Sequence, residues 1–206
     1  AYIRSTVVPE SACEVEFRAG LHGAMDNEGA AHWLRVDQGS RDLDGPLPAV
    51  FLHSRTRSSG IDWVGAMRLV GSGGRRSGAS VWDVDNAPTL VLKVKAIAGK
   101  PVSAEKRVAQ YTSRDLAPGD VVDAALAHVG RADAWKAALK ASADCWKTEW
   151  DRTNVTIEGD DEAQISVRYN LFQMLIAAPR HDNRVNIGAK TLSGFGYRGH
   201  AFWDTE

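Results

Sequence analysis

The residues best suited to chemistry lie at the end of the chain, from Asn186 to Glu206, in the run NIGAKTLSGFGYRGHAFWDTE. Tyr197, Phe202 and Trp203 offer flat apolar faces, two of them with a polar edge. Asp204 and Glu206 supply carboxylates, and Lys190, Arg198 and His200 supply donors. Gly188, Gly194, Gly196 and Gly199 let the backbone bend close to a ligand. An aromatic face beside a carboxylate suits a sugar: the C–H face of a pyranose stacks on an indole, and an ionised carboxylate accepts from two neighbouring hydroxyls. On residue types alone a plain glycine-rich loop ending in a half-buried strand accounts for the stretch equally well.

Asp204 and Glu206 stand two apart, which on an extended backbone puts both carboxylates on one face roughly 6.5–7 Å apart. Inverting glycosidases need carboxyl groups about 6.5–9.5 Å apart. The spacing is common by chance, and the resemblance described below places the acid elsewhere, so Glu206 is read instead as orienting its neighbours. His200 is read first as a hydrogen-bonded structural residue and second as a donor to a sugar hydroxyl.

Such a stretch needs elements to hold it. Up to about Ser113 the chain reads as short strands with frequent turn signals: Ser5–Val8, Cys13–Arg18, Ala31–Val36, Val50–Thr56, Ile61–Val64, Met67–Val70, Val81–Val84, Leu90–Ala96 and Val108–Thr112. That pattern predicts an antiparallel sandwich. Gly71–Ser80 (GSGGRRSGAS) reads as a flexible surface loop, lacking the lysine and hydroxyl of a phosphate-binding loop. At Pro118-Gly119-Asp120 the period changes. Asp120 as N-cap and Gly130 as stop predict a helix over Val121–Val129, and a longer one follows over 132–150 with Trp135, Leu139, Trp146 and Trp150 near one face. Asp160 opens a third helix whose buried face is marked by Ile165, Tyr169, Phe172 and Ile176, and which Pro179 ends.

Composition excludes several classes. Net charge is −1 over 206 residues, with no basic stripe interleaved with aromatics, so no nucleic-acid partner is expected. No apolar run approaches the ~20 residues of a membrane span, and Ala1 to Glu10 lacks the basic region and apolar run of a secretory leader, so none is expected. Cys13 and Cys145 lack metal-type spacing and are expected to be buried free thiols in a reducing, cytoplasmic compartment. No metal site and no cofactor is predicted.

The terminal block, Asn186 to Gly194 and then Gly196-Tyr197-Arg198-Gly199-His200-Ala201-Phe202-Trp203-Asp204-Thr205-Glu206, resembles the signature of glycoside hydrolase family 65, which holds maltose, trehalose and kojibiose phosphorylases and some α-glucoside hydrolases. The resemblance extends upstream through Gly20-Leu21-His22-Gly23 with Asn27-Glu28-Gly29, where His22 stands in place of the usual Asp. It continues through Thr112-Ser113-Arg114-Asp115, Trp146 and Trp150, Ile157-Glu158-Gly159-Asp160, and Gln164 to Gln173. Many members carry Glu where this chain has Phe195. The resemblance implies an N-terminal antiparallel β-sandwich over 1–115, a helical linker over 116–158, and over 159–206 the truncated start of an (α/α)6 catalytic barrel. It implies that Trp203 and Asp204 bind the non-reducing glucose of an α-linked disaccharide, with His200, Phe202 and Tyr197 as further candidates. The general-acid glutamate and the phosphate-binding residues belong beyond Glu206. The implied activity is that of an inverting α-glucoside phosphorylase that takes inorganic phosphate as co-substrate and releases β-glucose 1-phosphate. The alternatives are a trehalase-like hydrolase of the same family and a sugar-binding fragment without turnover; a homodimer is compatible with each.

Overall fold

In this computed structural model, residues 1–24, 31–178, 180, 182, 187 and 188 are described. The chain divides into two compact units, Ala1–Ala138 and Leu139–Glu206.

The first unit is built on eight strands: β1 (Tyr2–Val7), β2 (Cys13–Gly20), β3 (Trp33–Arg41), β4 (Ala49–Thr56), β5 (Asp62–Ser72), β6 (Arg75–Val84), β7 (Ala87–Ala96) and β8 (Val102–Thr112). They form two antiparallel sheets, one in the order β1-β8-β5-β4-β3 and one in the order β2-β7-β6. Period-2 alternation turns one side of each strand inward. Val50 and Leu52 of β4, Met67 and Leu69 of β5, Leu90, Leu92 and Val94 of β7 and Val102 of β8 fill the space between the sheets.

β4 does not alternate in its burial. Ala49, Val50, Phe51 and Leu52 are all buried, because a helix covers the outer face of the larger sheet. That helix is α1 (Val121–Arg131), preceded by a 3-10 turn over Pro118–Asp120. Its Val121, Ala125, Leu126 and Val129 pack on Ala49, Phe51, Val64, Ala66 and Ala109. Two guanidinium groups take up carbonyls at its C-terminal end, where positive charge is favoured: Arg68 donates to Gly130 O at 3.3 Å, and Arg107 to Ala132 O at 2.9 Å.

Five sequence-based expectations need correction here. The segments Ile61–Val64 and Met67–Val70 belong to one continuous strand, β5. The GSGGRRSGAS stretch is not a loop. Gly73 (φ 77°) and Gly74 (φ 61°) turn the chain from one sheet to the other, and Arg75 onward is β6. A Cβ on Gly73 would lie 2.4 Å from Pro101 O, so the corner needs glycine both for its φ and for its close approach. The β6 sequence carries little apolar alternation because it is mostly exposed and is held by backbone pairing to β7. Asp120 makes no capping hydrogen bond, and Gly130 lies inside α1, which runs on to Arg131. Cys13 and Cys145 are free but exposed.

The second unit holds most of α2 (Trp135–Thr153) and all of α3 (Asp161–Ala177). Asp160 caps α3 as its position predicts, accepting from the Ala163 N–H at 2.9 Å. The Gln164 side chain reaches back to the link between the helices. It accepts from Ile157 N–H at 2.7 Å and donates to Val155 O at 3.0 Å, while Arg168 donates to Asn154 Oδ1 at 3.0 Å. Trp146 packs on Phe172 with ring centroids 5.2 Å apart, and on Trp150 at 6.2 Å. Phe172 and Ile176 are half-buried, but Ile165 and Tyr169 are exposed. α3 is apolar on more than one side, and α2 covers only part of it. Among the described residues no helix is long and apolar enough to cross a membrane.

Candidate functional site

Tyr197, His200, Phe202, Trp203, Asp204 and Glu206 all lie outside the described residues. The structure does place the segment that leads to them. Asp160, Gln164 and Arg168 fix the start of α3 through the side-chain bonds given above. At its far end Arg180 pairs with Glu149 of α2. The Arg180 hydrogen bond holds the Glu149 carboxyl below the ordinary glutamate range, against a smaller upward push from burial. Beside this pair a cleft of about 220 Å³ is lined by Ser142, Cys145, Trp146, Leu175 and Ile176. Among the described residues no group of three or more His, Cys, Asp or Glu side chains converges as a metal site would.

In the first unit the register of the larger sheet assembles two features that linear reading does not show. Arg55 of β4 faces Asp62 of β5, and His53 lies one pair further along. Asp62 is 1% exposed. Its Oδ1 accepts from Arg55 Nε at 2.9 Å and lies 2.8 Å from His53 Nε2, and its Oδ2 accepts from Arg55 at 3.1 Å. Burial pushes this carboxyl up, but the hydrogen bonds and charges of Arg55 and His53 together outweigh it and leave Asp62 below the usual aspartate range.

On the opposite face of the same strands Ser54 pairs with Trp63, and Trp33 of β3 pairs with Thr56. Trp33 and Trp63 approach with centroids 6.2 Å apart at 57°. With His22, Gly23 and Ser54 they line a cleft of about 180 Å³ at one end of the sandwich. Its rim is tied down where Leu21 N–H donates to Pro88 O at 3.1 Å and Gly23 N–H to Asn86 O at 2.8 Å. Trp33 and Trp63 stand 30 positions apart, and only the β3-β4-β5 register joins them.

The depressed Asp62 carboxyl gives a pH-dependent expectation. In the unfolded chain an aspartate titrates near pH ~3.9. In the native state Asp62 titrates lower, so its contribution is complete above that value and is lost as pH falls through the native pKa. Asp62→Asn is expected to lower unfolding stability by about 1.5–3 kcal/mol at pH 7, with the gap to wild type narrowing at pH 3. Urea midpoints at the two pH values measure this, and a gap that does not shrink on acidification removes the ion pair as its cause.

The described residues form a two-sheet sandwich with a helix on its outer face, followed in the chain by two helices, the second capped by Asp160. Residues 1–149 match the glycosyl hydrolase family 65 N-terminal domain, and residues 168–206 match the family 65 central catalytic domain. The chain belongs to glycosyl hydrolase family 65. Kojibiose phosphorylase of Halothermothrix orenii is 29% identical over 205 residues, covering 94% of this chain and 26% of that protein. An uncharacterized glycosyl hydrolase of Mycobacterium leprae is 35% identical over 181 residues, covering 80% of this chain and 22% of that protein. The solved structure of a putative kojibiose phosphorylase from the human microbiome superposes with a TM-score of 0.84 at 21% identity, over 98% of this chain and 26% of that one. The chain thus spans about a quarter of the length of these relatives.

Proposed function

We propose that the protein is an inverting α-glucoside phosphorylase. The observation that carries this reading is the match of residues 168–206 to the family's catalytic domain, a span that includes Phe202-Trp203-Asp204-Thr205-Glu206. Domains are proposed at 1–115 for the sandwich, 116–158 for the linker and 159–206 for the opening of an (α/α)6 barrel. Trp203 stacks on the non-reducing glucose and Asp204 accepts from its hydroxyls, with Tyr197, His200 and Phe202 around the ring. A glutamic acid outside this stretch protonates the glycosidic oxygen as the bond to the anomeric carbon breaks. Phosphate oxygen forms the new bond from the opposite face, and the configuration inverts to give β-glucose 1-phosphate. Asp204 and Trp203 hold the sugar while positive charge builds on its ring. The substrate is an α-linked glucose disaccharide such as kojibiose, which the Halothermothrix relative's name specifies.

A second reading, in which water replaces phosphate, is carried only by the family's name as glycosyl hydrolases. Phosphate consumption across a panel of α-linked disaccharides, in protein carrying the complete catalytic domain, separates the two. The phosphorylase consumes phosphate in step with disaccharide. Turnover unaffected by removing phosphate excludes it and leaves the hydrolase.

A further inference from the structure

The cleft of Trp33 and Trp63 is used by nothing in the reading above. We propose that it binds one pyranose ring of a neutral saccharide, separately from the terminal stretch.

Four observations converge. The first is aromatic surface: two half-buried indoles, 6.2 Å apart at 57°, form a corner rather than a sandwich. Such a corner takes a flat C–H face against one ring and a rim against the other. The second is an open polar group. Ser54 is 3% exposed, and its hydroxyl has no hydrogen-bond partner among the described residues. It is nevertheless not sealed in, because Arg107 Nε is the one fully enclosed side-chain N or O atom without a partner among them. Ser54 therefore opens onto the cleft it lines, where a ligand hydroxyl satisfies it. The His22 imidazole adds a second polar partner at the mouth.

The third observation is size. About 180 Å³ falls below the roughly 300–1,000 Å³ of pockets for drug-sized ligands, which suits a single ring with the rest of the sugar outside. Two glycines keep that space clear. A Cβ on Gly65 would meet Trp63 Cη2 at 2.7 Å, so its absence lets the indole lie back over β5. A Cβ on Gly23 would meet Leu52 Cδ2 at 2.5 Å, so the backbone there rests on the core with no side chain. The fourth is charge. Among the described residues no Lys or Arg lines the cleft, so none of them offers a phosphate ester a cationic partner.

The proposal does not depend on the phosphorylase reading, and a protein that fails the phosphate test can still pass this one. The experiment follows the indole N–H resonances of Trp33, Trp63 and Trp203 by NMR while the intact protein is titrated with glucose, maltose, trehalose and glucose 1-phosphate. The expected result is saturable shifts at Trp33 and Trp63 with the neutral sugars, retained in Trp203→Ala. Trp33→Ala weakens binding about tenfold, the worth of one aromatic contact. Ser54→Ala weakens it several-fold with no change in Tm, since that hydroxyl makes no bond to any described residue, so the test stands even where Trp33→Ala does not fold. No saturable shift at Trp33 or Trp63 with any neutral sugar overturns the proposal. So does binding lost with Trp203→Ala or unaffected by Ser54→Ala, and so does tighter binding of glucose 1-phosphate than of glucose.

Discussion

Asp204→Ala is expected to lower kcat/KM for disaccharide phosphorolysis by at least ~10²-fold, from the loss of two hydrogen bonds to an ionised acceptor, each worth about 1.5–3 kcal/mol. At ~1.4 kcal/mol per decade, the lower end for two bonds already gives that factor. Under the proposed mechanism these bonds strengthen as positive charge develops on the glucosyl ring. The loss therefore falls on kcat as well as KM, as it does for an interaction realised more fully in the transition state. Asp204→Asn, which keeps the shape but loses the charge, is expected to fall between wild type and alanine. The measurement is initial-rate phosphorolysis by protein carrying the complete catalytic domain. A near-wild-type kcat/KM for the alanine variant removes Asp204 from the glucose site.

That residue could be singled out because a motif is local. Trp203 and Asp204 are neighbours in the chain, and their resemblance to the family can be read without knowing where any strand runs. The two features of the sandwich behave in the opposite way. Asp62 is separated by seven positions from Arg55 and nine from His53, and only the antiparallel register of β4 with β5 makes those spacings meaningful. The cleft needs one strand more, since Trp33 enters through β3. The sandwich class itself was legible, because most strands carry some alternation between turn signals. β6 escaped because its glycines, serines and arginines carry little alternation and it is held by main-chain bonds to β7. The helices were legible from their breaks, and Asp160 does cap α3. The buried face assigned to α3 was only half right, because a helix apolar on several sides does not say which side its neighbour takes. The exposed Ile165 and Tyr169 are the consequence.

The same limit applies to α1, whose apolar stripe was visible while its partner was not, and it leads to the second large effect. Leu126→Ala is expected to cost about 2–5 kcal/mol of unfolding free energy, a large fraction of the ~5–15 kcal/mol that a domain possesses. Leu126 is 2% exposed and packs into the layer formed by α1 and the outer face of the larger sheet. Ala49, Ala66 and Ala109 are small there, which lets the helix lie close to the strands. A cavity left at Leu126 is poorly refilled, because small side chains on a hydrogen-bonded sheet have little reach and the backbone behind them cannot move inward. Leu139, 55% exposed on α2, serves as the control, and Leu139→Ala is expected to stay within about 0.5 kcal/mol of wild type. Amide hydrogen exchange locates the loss: protection should fall in β4, β5 and β8, which α1 covers, as well as in α1 itself. A change under ~1 kcal/mol for Leu126→Ala, or lost protection confined to α1 with the strands untouched, means that the sandwich does not depend on the helix. The layer that sets the burial of β4 would then be a covering and not part of the core.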